Sequence, residues 1–260
     1  MSGAPFGWLE ALTVEVDSGV LVVTMNRPER LNAYDRTMVE ELRNVWKAFA
    51  ASDELRVAVL TAAGDRSFST GLDVDDTLAS GAASPSLDDE GRVSLTTKDL
   101  GIYKPVVVAV NGYCCAGGWH FVNDGDVILC SDNATFFDTH IDVGLANPVE
   151  AVGLASRLPL TEVLRMVASG RAYRMPAQRA YELGMVTEVV ASAELLPRAL
   201  EIARTIAQHP TETLVHSMEV VWAPVLAQRA EAEEMGLAHL AARHDPSPES
   251  RGLTNFRNGS

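Results

Sequence analysis

Two glycine-bearing segments each follow a short run of almost unbroken apolar residues. The first is Ser67-Phe68-Ser69-Thr70-Gly71-Leu72-Asp73, after Arg56 to Thr61. The second is Asn111-Gly112-Tyr113-Cys114-Cys115-Ala116-Gly117-Gly118-Trp119-His120, after Pro105 to Val110. Small residues at a strand-to-helix turn let the main chain approach a ligand and aim unpaired N–H groups at it. Such groups suit an oxygen that gains negative charge during a reaction. Plain tight turns would use the same residues, so spacing alone leaves both readings open. His120 closes the second segment, and His140 follows Phe136-Phe137-Asp138-Thr139. Imidazole titrates near pH 6.5, so either ring can serve as acid or base near neutrality. Asp138, Asp142 and Glu150 lie near His140 in the chain, and any of them could orient its ring. A helix opening around His120 would set its positive end against the ring, so a neutral His120 is expected. Cys114, Cys115 and Cys130 are odd in number and sit in apolar context. They form neither a disulfide framework nor a zinc spacing, which predicts buried free thiols, a reducing cytoplasm and no metal.

Short strands and amphipathic helices must position these groups. Leu12 to Asp17 alternates apolar and polar residues, Val20 to Met25 is rich in β-branched residues, and Asp17-Ser18-Gly19 between them predicts a hairpin turn. Met38, Leu42, Val45, Trp46 and Phe49 give Ala33 to Ala51 helical spacing. Arg56 to Thr61, Pro105 to Val110 and Asp126 to Cys130 look like strands buried on both faces, as in parallel sheets covered by helices. The second glycine segment predicts a helix through Asn123. Residues 76–98 are rich in Ser, Ala, Gly and Asp and predict a long mobile segment, either a substrate lid or simple disorder. Helices dominate after residue 145. One follows Met175-Pro176 and stops at Gly184, one is amphipathic over Pro197 to Gln208, and one runs from Thr211 to Ala242 with Pro224 as a break or kink. The layout predicts an α/β core over 1–195 and a C-terminal helical region over 196–260.

The 260 residues include 21 Lys plus Arg against 35 Asp plus Glu, a net charge of −14. Such an anion repels phosphate backbones and anionic membrane surfaces, so neither is an expected partner. No apolar run is long enough to span a bilayer, and Met1-Ser2-Gly3-Ala4-Pro5 does not start like a secretory signal.

Taken together, the motifs resemble the crotonase superfamily, the enoyl-CoA hydratase/isomerase fold. The resemblance runs through Asn26-Arg27-Pro28-Glu29-Arg30-Leu31-Asn32-Ala33, Val59-Leu60-Thr61 and Phe68 to Asp73. It continues through Lys104-Pro105 to Tyr113, Ala116-Gly117-Gly118, Asp126, Ala134-Thr135-Phe136, Arg157-Leu158-Pro159, Ala180 and Glu182 to Val186. It implies a spiral of ββα units with a C-terminal helical region used for trimerisation, and a homotrimer or hexamer. It implies an acyl-CoA thioester as ligand, with coenzyme A part of the substrate and no separate cofactor. It implies an oxyanion hole from the N–H groups of Leu72 and Gly117, which would hold the thioester oxygen while an enolate forms. Thr70, Leu72 and Asp73 would lie on the CoA-binding loop, with Arg27 and Arg30 as phosphate neighbours or as a solvated loop.

The sequence departs from the family where the hydratases carry two glutamates, because His120 and His140 occupy those positions. Paired histidines resemble the carbon–carbon hydrolases of the superfamily, such as 6-oxocamphor hydrolase, which cleave β-diketones by a retro-Claisen step. Met235-Gly236-Leu237-Ala238-His239 is similar too, whereas the hydrolase's ring-orienting Asp would fall at Val149, one residue from Glu150. Its helper Glu would fall at Leu240 and its Trp near Tyr34. Three readings follow: an acyl-CoA enzyme moving protons with His120 and His140, a hydrolase of β-diketones or β-keto thioesters, and a non-catalytic acyl-CoA binder.

Overall fold

The structure, a computed structural model, describes residues 6–75 and 94–243. It opens on β1 (Leu12–Asp17) and β2 (Val20–Met25), paired antiparallel with Asp17 opposite Val20. Ser18 (φ 53°) and Gly19 (φ 82°) both take left-handed backbone, which suits the twist of a two-residue hairpin. Helix α1 (Arg36–Ala51) begins later than its apolar spacing suggests, because the Asp35 carboxylate caps it by accepting from Met38 N.

The next strands come in pairs divided between two sheets. They are β3 (Val57–Ala62) and β4 (Ser67–Ser69), β5 (Val106–Val110) and β6 (Tyr113–Cys115), and β7 (Val127–Ser131) and β8 (Thr135–Phe137). The larger sheet has the order β1-β2-β3-β5-β7-β10, where β10 is Glu188–Val190, and is parallel from β2 onward. The smaller has the order β4-β6-β8-β9, where β9 is Met175–Pro176. Helix α2 (Trp119–Asp124) follows β6, and α3 (Glu150–Ala155) comes after β8. This is a mixed α/β fold, with each turn of the chain giving one strand to each sheet.

Two apolar layers hold it. The main core, with Met38, Trp46, Phe49, Phe68, Trp119, Phe121 and Phe136, is enclosed by both sheets, α1 and α2. On the other face of the large sheet, Val20, Val57, Val59, Val107 and Leu129 meet Leu195, Ala199 and Ala203 of α6 (Leu195–Ile206). The division expected at 195/196 therefore falls at the start of a helix that covers the sheet. Before it come α4 (Leu160–Ser169) and α5 (Ala177–Glu182), and after it α7 (Thr211–Arg243). Helix α7 runs through Pro224 without a break and buries none of its described side chains fully. Trp222 donates to Asp126, and Arg229 pairs with Asp124 at the end of α2.

Residues 76–93 of the expected mobile segment lie outside the described residues, as do Met1–Pro5, His244 and the tail from Asp245. The remainder of that segment is core. Leu95 is fully buried and its carbonyl accepts from Trp46 Nε1 at 3.0 Å, while Lys98 pairs with Asp126 at 3.0 Å. One apolar residue and one paired lysine outweigh the polar composition around them.

Candidate active site

The first glycine turn is built by Asn32. Leu31 and Asn32 take left-handed backbone (φ 53° and 54°), and the Asn32 amide spans to Ala63 O and Ser67 O at 3.0 and 2.8 Å. Ser69 Oγ donates to Asn32 O and accepts from Gly71 N. Tyr34 N donates to Gly71 O and Asp73 N to Tyr34 O, so the bridge between Tyr34 and Leu72 turns the Leu72 N–H outward.

The second turn presses on the first, main chain to main chain. A Cβ on Gly71, which has φ +86°, would stand 2.5 Å from Gly117 N, and one on Gly118 would stand 2.5 Å from Ser69 O. A Cβ on Gly117 would meet the Tyr34 hydroxyl at 2.1 Å. Only glycine permits contacts this close. Neither Leu72 N–H nor Gly117 N–H donates to an acceptor among the described residues. Both residues line one cavity of about 800 Å³, together with Tyr34, Thr70, Asp73, His120, His140 and Glu150. Two main-chain donors without an acceptor among the described residues thus belong to residues lining one cavity, which suits an oxygen that gains charge.

The two imidazoles share one carboxylate. His120 Nε2 lies 3.5 Å and His140 Nε2 3.8 Å from Glu150 Oε1, and all three side chains are largely buried. His140 Nδ1 lies 2.7 Å from Asp138 Oδ1, which puts a proton on Nδ1 and turns Nε2 toward the cavity side. Among the three acids near His140, Asp138 thus orients the ring, Glu150 bridges to His120, and Asp142 instead accepts from Arg171 N. Asn147 Nδ2 donates to Asp138 Oδ1 while its Oδ1 accepts from Ala151 N, so it ties the dyad to α3. Sequence reasoning missed Asn147. The signal available was an Asn-Pro step just before a helix.

Burial pushes both imidazoles toward the neutral form. For His120 this is outweighed by Glu150 and by the charges of Asp99 and Asp124, and the balance is raised. For His140 it is outweighed by Asp138 and Glu150, and the balance is again raised. Burial pushes Glu150 up, but the two imidazoles pull it down to about 2. The direction for His120 runs against the expectation of a neutral ring, which rests on the helix end alone. The helix it opens has six residues, and the carboxylates nearby exceed its weak positive end.

The remaining candidates divide. Thr70 and Asp73 line the cavity, and Arg30 stands at its rim, 43% exposed. Arg27 does not line it; its guanidinium is spent on Asp35, Asp73 and Ala33 O. Arg30 is likewise held by Asp73 and Asp75, so both arginines are largely neutralised. The three thiols are buried and raised in pKa, Cys115 to about 12, and His209, His216 and His239 are exposed.

Comparison with known proteins gives one answer. The profile of the enoyl-CoA hydratase/isomerase family matches residues 15–257. A carnitinyl-CoA dehydratase of Shigella flexneri is 36% identical over 196 residues, covering 75% of this chain and 74% of that protein. A carnitinyl-CoA dehydratase of Proteus mirabilis is 35% identical over 199 residues, covering 76% and 75%. Among solved structures, an enoyl-CoA hydratase/isomerase from Mycobacterium paratuberculosis superposes with TM-score 0.75 at 31% identity, covering 96% of both chains. Another from Xanthobacter autotrophicus Py2 has TM-score 0.81 at 25% identity, covering 96% and 94%.

Proposed function

The chain belongs to the enoyl-CoA hydratase/isomerase family, and we propose that it binds an acyl-CoA thioester and stabilises its enolate on the N–H groups of Leu72 and Gly117. The observation that carries this reading is the contact between two glycine turns, each with an unspent amide, in a cavity that also holds His120, His140 and Glu150. Removing one such donor typically costs ~3–4 kcal/mol of barrier.

The proposed step is addition of water across an α,β double bond, or its reverse. Neutral His140, oriented by Asp138, takes a proton from water as the hydroxyl joins Cβ. The electron pair moves to the thioester oxygen between the two amides. The imidazole pair linked by Glu150 returns a proton to Cα, which balances the addition. Thr70 and Leu72 would meet CoA through main-chain atoms, Asp73 would hold the loop, and Arg30 would stand nearest the phosphates. The dehydratase names of the relatives favour this direction. Carnitinyl-CoA is accordingly a substrate to try beside crotonyl-CoA.

The Asp138–His140 dyad also favours a second reading. Water activated by such a pair can attack a carbonyl, so a β-diketone or β-keto thioester would be cleaved by a retro-Claisen step, with the departing enolate on the same amides. Crotonyl-CoA turnover followed at the enoyl absorbance, against loss of enol absorbance from a cyclic β-diketone, separates the two. Absence of both, with CoA thioesters still bound, would leave a non-catalytic binder. Assembly into trimers or hexamers through the exposed apolar residues of α7, Val220, Val221, Met235 and Leu237, is part of the same proposal. Light scattering of the purified chain tests it.

A further inference from the structure

The smaller sheet has one face in the core and one in the cavity. Phe68, Cys114, Phe136 and Met175 are fully buried on the core face. By alternation, Tyr113, Cys115, Phe137 and Arg174 belong to the opposite face, and all four line the cavity. Phe136 pairs with Met175 across β8 and β9, so the next antiparallel pair is Phe137 with Arg174. The Arg174 guanidinium accordingly lies 4.1 Å from the centre of the Phe137 ring and 5.1 Å from that of Tyr113. Stacking restrains a planar cation but leaves its N–H edges available.

Arg174 differs from the other arginines of the cavity. Arg30 is neutralised by Asp73 and Asp75, and Arg171 stands beside Asp142. Arg174 has no carboxylate partner among the described residues. In a chain of net charge −14, this exposed, stacked cation on a cavity wall can pair with an anionic group of a ligand. It lies on the side of the second glycine turn. Cys115 is two residues before Gly117, and Phe137 is three before His140. Val143, Leu145 and Val149 supply apolar lining to the same cavity.

We infer that Arg174 selects an acyl group whose far end carries a carboxylate, with an apolar stretch between that carboxylate and the thioester. The inference rests on the acyl-CoA reading above. The phosphates of CoA offer the same anionic chemistry, and the test separates the two sources. Calorimetry of the full chain is run with butanoyl-CoA and glutaryl-CoA, for the wild type, Arg174→Met and Arg174→Lys. Glutaryl-CoA is expected to bind the wild type about ten-fold more tightly, the scale of one charge-assisted contact. The ratio should fall to about one in Arg174→Met and recover in part in Arg174→Lys, which keeps the charge. Equal affinity in the wild type overturns the inference. So does weaker binding of both thioesters by Arg174→Met with their ratio unchanged, which assigns the cation to CoA phosphate. Failure of both thioesters to bind the wild type withdraws the acyl-CoA reading itself, and binding of butanoyl-CoA without glutaryl-CoA overturns the inference alone.

Discussion

Replacing Glu150 by Gln removes one charge and almost no volume from the centre of the site. Glu150 Oε1 lies 3.5 and 3.8 Å from the two imidazole Nε2 atoms. At an effective dielectric of ~20, each charged pair at such a distance is worth ~4 kcal/mol before burial is subtracted. The fall of Glu150 from 4.5 to about 2 corresponds to a net ~3 kcal/mol in favour of its charged form. Glu150→Gln should therefore lower the midpoints of both His120 and His140, which the carboxylate helps to hold above the usual 6.5. The signs also fix the stability profile. A carboxylate held low stabilises the fold above its usual 4.5 and loses that as pH falls toward 2. Imidazoles held high stabilise it below 6.5 and lose that as pH rises through their own values. The melting temperature gap between wild type and variant should hence be widest near pH 5 to 6.5 and close at alkaline pH. Carbon-detected NMR of the imidazole C–H groups, assigned with His→Gln variants, reads the midpoints without any substrate. Midpoints unmoved by the substitution, or already at 6.5 in the wild type, would refute the bridging role of Glu150.

Three further outcomes follow from the geometry. His140→Ala should lower turnover of the active thioester by at least ~100-fold while the melting temperature stays within a few degrees; a fully active variant rejects the role. Asp138→Asn should leave the fold intact and lower kcat more than it raises KM, by ~10²–10⁴-fold, because His140 loses the acceptor that fixes its tautomer. An unchanged kcat would show the dyad is only structural. Gly71→Ala would force a Cβ to 2.5 Å from Gly117 N at φ +86°; activity should fall by ~10²-fold or more along with a lower melting temperature, and CoA-thioester affinity should fall less than kcat.

Much of this architecture is legible in the sequence because its signals are local. The hairpin is marked by Ser18-Gly19 between two apolar runs, and the buried strands by runs of Val with no polar alternation. Both glycine turns stand where small residues follow such strands. What the chain could not reveal is which distant groups meet. Asp138, Asp142 and Glu150 are equivalent candidates along the sequence, and only the loop after β8 sets Asp138 on Nδ1, Glu150 on Nε2 and Asp142 against Arg171. Arg27 and Arg30 read along the chain either as phosphate neighbours or as a solvated loop, because nothing local shows Asp73 folding back onto them. The place of His120 on a helix favours a neutral ring, and the carboxylates that oppose this, Glu150, Asp99 and Asp124, arrive from elsewhere in the chain. Arg174 carried no motif at all; its stacking depends on strand register.

The contact between Gly71 and Gly117 separates two jobs that most proton-transfer sites combine. The groups that would steady negative charge belong to the peptide backbone, so no exchange of side chain deletes them unless the loops themselves move. The groups that would carry protons are ordinary side chains on the rim of those loops and can be traded freely. A lineage with this scaffold could thus replace one pair of proton carriers by another without first losing its means of steadying an anion. Exchange of one kind of proton carrier for another, a carboxylic acid for an imidazole, would then change the reaction at little cost to the scaffold beneath it.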